Sequence, residues 1–214
     1  MTIQSNREFA ALARIAKVGN HKSTFATSPA NPVTHYAAGD LIFGQGDHAG
    51  KIFTVKGGMV RLYHLFADGR RQILAFCMPG EVFGFAVHGT YEFFAEAIED
   101  SSVAVHDVQD SLTEVWLSAL KAHLLAAQSQ QLVLGRQYAC ERLVSFLLDM
   151  ANRQGGQQHV ELSMTRSDIA DYLGLTLETV SRGLSRLKKD GLIRMHSARC
   201  IEIPALEALQ EMIE

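Results

Sequence analysis

The sequence is poor in cysteine: three thiols, at Cys77, Cys140 and Cys200, are spread over 214 residues. No CxxC pair occurs, and no cysteine–histidine cluster has the spacing of a zinc finger. A disulfide framework is therefore not indicated, and no structural metal is predicted. We expect a reduced, cytoplasmic protein in which Cys77 and Cys140, set in apolar segments, are packing residues.

Long apolar runs are also missing. No stretch approaches the ~18 apolar residues that a membrane span needs, and residues 1–19 lack the apolar core of a signal peptide. A glycine-rich phosphate loop, a GxSxG motif and an HExxH motif are absent from the sequence as well. We therefore expect neither a membrane partner nor an enzyme.

The chain has no marked excess of charge of one sign, with 20 Lys and Arg against 23 Asp and Glu. Taken as a whole, this balance argues weakly against a nucleic-acid-binding protein. The distribution is uneven, however. Residues 165–200 hold seven basic and four acidic residues, a net charge of +3, and residues 201–214 hold four acidic residues and no basic one.

Residues 33–107 contain short runs of β-branched and aromatic residues, among them 81–87, separated by glycine-containing turns. This spacing predicts a small antiparallel barrel or sandwich. The clearest hairpin is 66–70, where Gly69 can adopt the positive φ of a tight turn. Further upstream, residues 7–18 are consistent with one short helix.

Residues 108–153 have no proline and a single glycine, Gly135, which predicts a long helix up to about that glycine and a second helix from Tyr138 to Arg153. An apolar stripe on a helix needs a partner, so we predict a dimer interface; the alternative is packing against the chain's own β-domain. The residues of the stripe are Leu117, Leu120, Leu124, Ala127, Leu134 and Tyr138.

The region after residue 164 predicts two short helices joined by a turn. Thr165 can cap the first helix, with Asp168 at the acidic position of a capping box. Gly174 supplies the turn, and Thr176 can cap an amphipathic helix over residues 177–189. Two short helices joined by a glycine turn are typical of the helix-turn-helix motif.

The solvent face of the second helix carries Glu178, Ser181 and Arg182 within one turn. In a recognition helix, Arg can bridge guanine O6 and N7, Glu can accept from cytosine N4, and Ser can reach either kind of base edge. The alternative is a solvated Glu–Arg pair worth ~0.3–0.5 kcal/mol. Candidate contacts to the DNA backbone are Thr165, Thr176, Thr179, Ser185, Arg186, Lys188, Lys189 and Arg199.

Residues 192–195 and 200–203 predict two short strands joined by a polar tip, which is the pattern of a wing. Residues 159–162 are a candidate third strand. His196, at the tip, could reach phosphate, although an exposed loop explains it equally well. Pro204 is predicted to open a last short helix, because proline is favoured at the first helical position.

Several stretches resemble the Crp–Fnr family of bacterial transcription regulators, most closely its FixK and Fnr branches: AAGDLIFGQGD, DGRRQILAFCMPGEVFG and DIADYLGLTLETVSRGLSRLKKDGLI. The resemblance implies an α+β fold with three parts. These are an N-terminal extension with a double-stranded β-roll of the cyclic-nucleotide-binding type (1–107), a dimerisation helix (108–137) and a C-terminal winged helix-turn-helix domain (138–214). It also implies a homodimeric, DNA-binding transcription activator.

Glu178, Ser181 and Arg182 match the E-x-x-S-R pattern that, in the Fnr-like branches, reads TTGAT and ATCAA half-sites. The cyclic-AMP receptor branch has Arg before the Glu and Gly in place of the Ser, whereas this chain has Leu177 and Ser181. The resemblance therefore implies a TTGAT-N4-ATCAA-like palindrome. The hairpin tip corresponds in position to a loop that contacts RNA polymerase through its sigma or alpha subunit, or is an ordinary exposed turn; its residues are Asp68, Gly69, Arg70 and Arg71.

The resemblance leaves the sensed signal open. The family's cyclic-nucleotide pocket uses a Glu where this chain has Phe85, and a buried phosphate needs an Arg, yet none occurs between Arg71 and Arg136. Cyclic AMP is therefore not expected. An iron–sulfur cluster of the Fnr type is not expected either, because the first 76 residues contain no cysteine.

A ligand-free regulator, as in the FixK branch, is the favoured interpretation, so no cofactor is predicted. Haem-dependent gas sensing remains the alternative, since His is a common axial ligand of haem. Redox control through Cys200 on the wing is a further possibility, against inert packing on a short strand. No motif selects one of the histidines in or near the roll, which are His21, His35, His48, His64, His88, His106 and His123.

Overall fold

The computed structural model describes residues 32–107, 114–156 and 158–213. The helix predicted at 7–18 lies outside the described residues. Within them, the N-terminal half forms two four-stranded antiparallel sheets, with strand orders β1-β8-β3-β6 and β2-β7-β4-β5. The strands are β1 (Val33–Tyr36), β2 (Leu41–Phe43), β3 (Lys51–Gly57), β4 (Val60–Leu65), β5 (Arg71–Cys77), β6 (Val82–Phe83), β7 (Phe94–Ala97) and β8 (Ser101–Asp107).

Aromatic side chains fill the space between the two sheets. Phe43 stacks on Tyr91 with ring centroids 3.8 Å apart, and Phe53 stacks on Phe83 at 5.3 Å. All four side chains are buried, and each buried aromatic ring stabilises the fold by about 1.5–3 kcal/mol. The alternation of apolar and polar residues along the strands thus produces a β-roll with a packed interior.

The predicted hairpin turn at 66–70 is confirmed, whereas the strand predicted at 81–87 is shorter in the structure. Gly69 has a φ of +84°, as the 66–70 turn requires. The predicted strand 81–87 ends early, at Phe83, because Gly84 takes a φ of +89° and turns the chain away. A Cβ at Gly84 would lie 2.7 Å from Phe53 Cδ2, so the glycine also permits close packing there.

Two helices follow the roll: α1 (Glu114–Leu134) and α2 (Ala139–Arg153). Both helix predictions are confirmed. One side of α1 packs on its own chain through the Trp116 ring, 5.0 Å from His106, and the His123 ring, 5.6 Å from Phe85. Helix α2 is amphipathic and buries its apolar side in the C-terminal core. No helix among the described residues is long and apolar enough to cross a membrane.

The C-terminal part combines short helices with a small sheet of order β10-β11-β9. The third strand predicted at 159–162 is confirmed by β9. The last helix begins at Leu206, after Ala205 as its N-cap, rather than at Pro204. The elements are β9 (His159–Glu161), α3 (Arg166–Leu173), α4 (Leu177–Lys189), β10 (Arg194–Met195), β11 (Cys200–Glu202) and α5 (Leu206–Gln210).

Candidate nucleic-acid interface

Side-chain caps define the two helices that build the candidate interface. The Thr165 hydroxyl accepts from the Asp168 amide, and the Asp168 carboxylate accepts from the Thr165 amide, so the predicted capping box is confirmed. Gly174 ends α3 in the left-handed region, at φ +62°. Thr176 then caps α4 by accepting from the Thr179 amide. These local bonds position α4 directly after the turn.

Helix α4 separates an apolar face from a polar one. Val180, Leu184 and Leu187 are fully or almost fully buried, packed with α2 and α3. Glu178 and Arg182 are exposed on the opposite side. The predicted amphipathic helix is confirmed, with Glu178 and Arg182 facing outward; their reading of bases stays a prediction.

Ser181 is the least accessible of the three predicted base-reading residues. Its side chain is half-buried, and its hydroxyl lies 3.5 Å from the Arg166 guanidinium, which can donate to it. Its backbone carbonyl accepts a 2.8 Å hydrogen bond from the Ser185 hydroxyl. Sequence reasoning did not identify Arg166 as a neighbour of this face, because the contact joins two different helices.

The charged residues of α4 are arranged favourably for the helix dipole, with an acidic residue in the first turn and basic residues in the last. Hydrogen bonds from its own backbone amide and from Thr176, together with the charge of Arg182, hold the pKa of the Glu178 carboxyl below its usual value. Glu178 therefore carries its negative charge at the positive end of the helix dipole. The last turn is basic, with Arg186, Lys188 and Lys189, which is the favourable arrangement at the other end.

Seven of the eight predicted backbone-contact residues divide into two kinds, and the eighth, Ser185, is exposed and donates its hydroxyl to the Ser181 carbonyl. Thr165, Thr176 and Thr179 use their hydroxyls or amides in the caps of α3 and α4. The longer cationic side chains of α4 are exposed to solvent, as is Arg199 at the tip between β10 and β11. Exposed cations on one surface provide the sequence-independent attraction for a phosphate backbone.

The wing predicted from residues 192–203 is present as the β10–β11 hairpin. Its tip is held by the Ser197 hydroxyl, which accepts from the amides of Arg199 and Cys200. Cys200 is half-buried with a free thiol, and Cys77 is fully enclosed in the roll, where burial raises the pKa of its thiol well above the usual value. Cys77 is therefore a packing residue, as predicted.

Comparison with known proteins agrees with this architecture. Residues 141–212 match the Crp-like helix-turn-helix domain, and residues 33–113 match the cyclic nucleotide-binding domain. The nitrogen fixation regulation protein FixK of Rhizobium meliloti (strain 1021) is 45% identical over 183 residues, covering 84% of this chain and 86% of that protein. The chain belongs to the Crp–Fnr family of transcription regulators.

Within the Crp–Fnr family, two further similarities are to FixK proteins. The FixK protein of Azorhizobium caulinodans is 40% identical over 191 residues, covering 83% of this chain and 77% of that protein. The solved structure of FixK2 from Bradyrhizobium japonicum has a TM-score of 0.81 and 36% identity, and the match covers 86% of this chain and 98% of that chain. The predicted α+β fold is confirmed. The chain is a FixK-like transcription regulator with a helix-turn-helix DNA-binding domain, and members of its family are not enzymes.

In this Crp–Fnr regulator, an ion-pair cluster joins the β-roll to the DNA-binding domain. Asp168 Oδ1 accepts from Arg61 and from Arg71, both at 2.7 Å. Arg61 also contacts Glu96 at 2.6 Å, and Arg71 contacts Asp171 at 2.7 Å. The Asp168 side chain is 1% exposed. The same carboxylate that caps α3 therefore also fixes α3 against the sheet β2-β7-β4-β5.

Arg71 belongs to this ion-pair cluster and not to the exposed hairpin tip, although its sequence position groups it with the tip residues as a candidate RNA polymerase contact. Asp68, Gly69 and Arg70 are exposed, and Arg70 pairs with Asp68 at 2.7 Å. Arg71 is the first residue of β5, is half-buried, and is held by the two carboxylates of α3. The sequence interpretation of Arg71 as part of an exposed contact loop is therefore not supported by its position.

The predicted dimer stripe runs along α1 and ends at Tyr138, the N-cap of α2. Most of its residues are exposed, with values of 53% at Leu117 and 59% at Leu124. Leu134 differs: it is half-buried and approaches Gly174 of its own helix-turn-helix. Sequence reasoning missed Leu125 and Leu132, which are exposed on the same helix and lie one heptad apart.

The space between the roll and α1 beside Phe85 is small. Phe85, which replaces the family's Glu, packs its ring edge-on to His123 of α1. A small cavity of about 80 Å³ lies beneath Phe85 and His123, beside Phe43 and Tyr91. Burial lowers the pKa of His123, so its imidazole is neutral at neutral pH.

Proposed function

We propose that this protein is a homodimeric transcription activator that binds a TTGAT-N4-ATCAA-like palindrome without a bound effector. The observation that carries the proposal is the outward placement of Glu178 and Arg182 on α4, with Ser181 between them on the same side. The buried face of α4 anchors that surface to α2, which makes it a rigid base-reading edge.

The chemistry of the three side chains suits the proposed half-site. Arg182 can make a bidentate contact to guanine O6 and N7, and Glu178 can accept from the N4 amine of the paired or neighbouring cytosine. Ser181 can pack against or bond to a thymine. Two features favour the half-site of the Fnr-like branches over that of the cyclic-AMP receptor branch. They are the E-x-x-S-R pattern and Leu177, which stands where the cyclic-AMP receptor branch has Arg.

The dimer is supported by the stripe of leucines on α1 that its own roll leaves uncovered. Such an apolar helical face is stabilised by packing against a second copy. Two α4 helices related by a two-fold axis would then reach successive major grooves, one helical turn apart. We also propose that the exposed tip Asp68–Gly69–Arg70 contacts RNA polymerase. Arg71 is not part of this proposed surface, because it pairs with Asp168 and Asp171.

The absence of a cyclic-nucleotide effector is supported by the packing around Phe85, where the family resemblance places the nucleotide pocket. Ligand pockets for small organic molecules are typically about 300–1,000 Å³, whereas the cavity between Phe85 and His123 measures about 80 Å³. We expect freshly purified protein to show no Soret absorption band and to bind its palindrome equally well with and without cyclic AMP. A Soret band, or a cyclic-AMP-dependent gain in affinity, would favour a ligand-sensing regulator instead.

Base reading is tested by selecting the duplexes that the protein binds from a random pool in vitro and then measuring its affinity for them. We expect enrichment of TTGAT and ATCAA half-sites. Replacing Arg182 with alanine is expected to cost ~1–3 kcal/mol, or roughly 5- to 150-fold in affinity, and to flatten the preference at one base pair.

The matched control is Lys188→Ala, on the exposed last turn of the same helix. It should weaken binding to all sequences alike and reduce the dependence of affinity on salt concentration. If the Arg182→Ala protein keeps the wild-type ranking of all four bases at every position, Arg182 does not read a base.

A further inference from the structure

Three side chains that commonly bind transition metals meet on the outer face of the wing sheet. They are His159, His196 and Glu202, and their ligating atoms all lie within 4.8 Å of one another. None of them belongs to the base-reading face of α4.

Strand register brings the three residues together. His159 of β9 lies directly opposite Glu202 of β11. On the other side of β11, His196 directly follows β10, and its amide donates to the Cys200 carbonyl at 3.0 Å. Side chains alternate along a strand, and Ile201 is fully buried on the inner face. Its neighbour Glu202 therefore points outward, and cross-strand partners on one face lie about 5 Å apart.

The carboxylate is already oriented toward the imidazoles. Glu202 Oε2 lies 2.8 Å from His196 Nε2, while Arg194 holds the other oxygen, Oε1, at 2.9 Å. The rings of His159 and His196 lie side by side, with centroids 5.8 Å apart and planes inclined by 27°. A hydrogen bond to the second carboxylate oxygen is the kind of support that orients a metal ligand.

We propose that the wing sheet binds one divalent transition-metal ion of the zinc class through His159, His196 and Glu202 Oε2. Two imidazole nitrogens and one carboxylate oxygen are a common zinc donor set, with water completing the tetrahedron. Donor atoms around zinc are about 3.3 Å apart, given zinc–nitrogen distances near 2.0 Å. The exposed imidazoles rotate inward to reach this spacing, and the ion replaces the hydrogen bond between His196 and Glu202.

The ion would join all three strands of the sheet and add positive charge beside the wing tip that carries Arg199. The proposal stands apart from base reading, because it concerns residues outside α4 and a ligand other than DNA. The harder oxygen-preferring ions, magnesium and calcium, are disfavoured by the two imidazoles.

The test is a titration of metal-stripped, reduced full-length protein with zinc in competition with a chromogenic chelator. We expect one zinc ion per chain. His159→Ala and His196→Ala should each weaken binding by at least ~10-fold, whereas His88→Ala, which removes an exposed histidine of the roll, should leave it unchanged. Thermal unfolding without metal shows whether the variants are folded.

Cobalt substitution of the wild-type protein supplies a second measurement that does not depend on the variants. Visible bands of tetrahedral cobalt without sulfur-to-cobalt charge transfer are expected, because the ligands are nitrogen and oxygen. Failure to bind one zinc ion per chain, unchanged affinity in folded His159→Ala and His196→Ala proteins, or a thiolate charge-transfer band would overturn the proposal.

Discussion

Replacing Asp168 with alanine is expected to lower the free energy of unfolding by about 3–5 kcal/mol. The Asp168 carboxylate is 1% exposed and accepts hydrogen bonds from Arg61 and Arg71 on Oδ1 and from the Thr165 amide and hydroxyl on Oδ2. Its removal leaves two partly buried guanidinium groups short of a partner, which costs far more than the loss of a surface ion pair. Half of the capping box is lost at the same time, because the Thr165 amide no longer has a carboxylate to donate to, while the Thr165 hydroxyl still accepts from the backbone amide of residue 168.

This expectation is measured by thermal unfolding, where the midpoint should fall by roughly 6–20 °C for a chain of this size. Asp190→Ala is the matched control, because Asp190 is exposed and pairs with Arg186 at 3.6 Å. Its effect should stay within about 0.5 kcal/mol. Equal, small losses in both variants would show that the ion-pair cluster contributes little to holding α3 against the roll.

Introducing negative charge on the α1 stripe has the second large expected effect. We expect the double variant Leu120→Glu and Leu124→Glu to be monomeric, because four carboxylates would face one another in the proposed dimer, where the wild type would pack leucines. Loss of the second half-site should weaken binding to the palindrome by about 10²- to 10⁴-fold. Both leucines are exposed in the single chain, so its fold should survive.

Sedimentation equilibrium and binding to a full palindrome measure the two consequences of this change. Val87→Glu is the control: Val87 is a large apolar residue of the roll that is 81% exposed and does not belong to the stripe. A double variant that still sediments as two chains, or that binds the palindrome like the wild type, would contradict a dimer built on this stripe.

The local features of the DNA-binding domain could be predicted from neighbouring residues alone. The capping box of Thr165 and Asp168, the left-handed Gly174 and the Thr176 cap involve contacts between residues three or four positions apart. The periodicity of α4 likewise decides which side chains are buried. Such short-range rules operate within one turn of helix, so they can be read without knowing the rest of the fold.

Other parts of the molecule depended on where distant strands and helices meet. The early end of β6 could not be predicted, because alternating apolar residues do not reveal that Gly84 must turn beside Phe53. The second role of Asp168 was also hidden, since Arg61 and Arg71 are more than 90 residues away in sequence. The face of α1 that stays uncovered is defined by the packing of Trp116 and His123 on the roll.

By itself, the sequence determined the class of protein, the order of its elements and the side chains that face outward on α4. Those properties depend on composition, helical period and motifs of adjacent residues. Only the tertiary structure decided that Arg71 braces α3 instead of extending the hairpin tip, and that His159, His196 and Glu202 share one face of the wing sheet. Both results follow from strand register and interdomain packing, which bring together residues that no spacing rule connects.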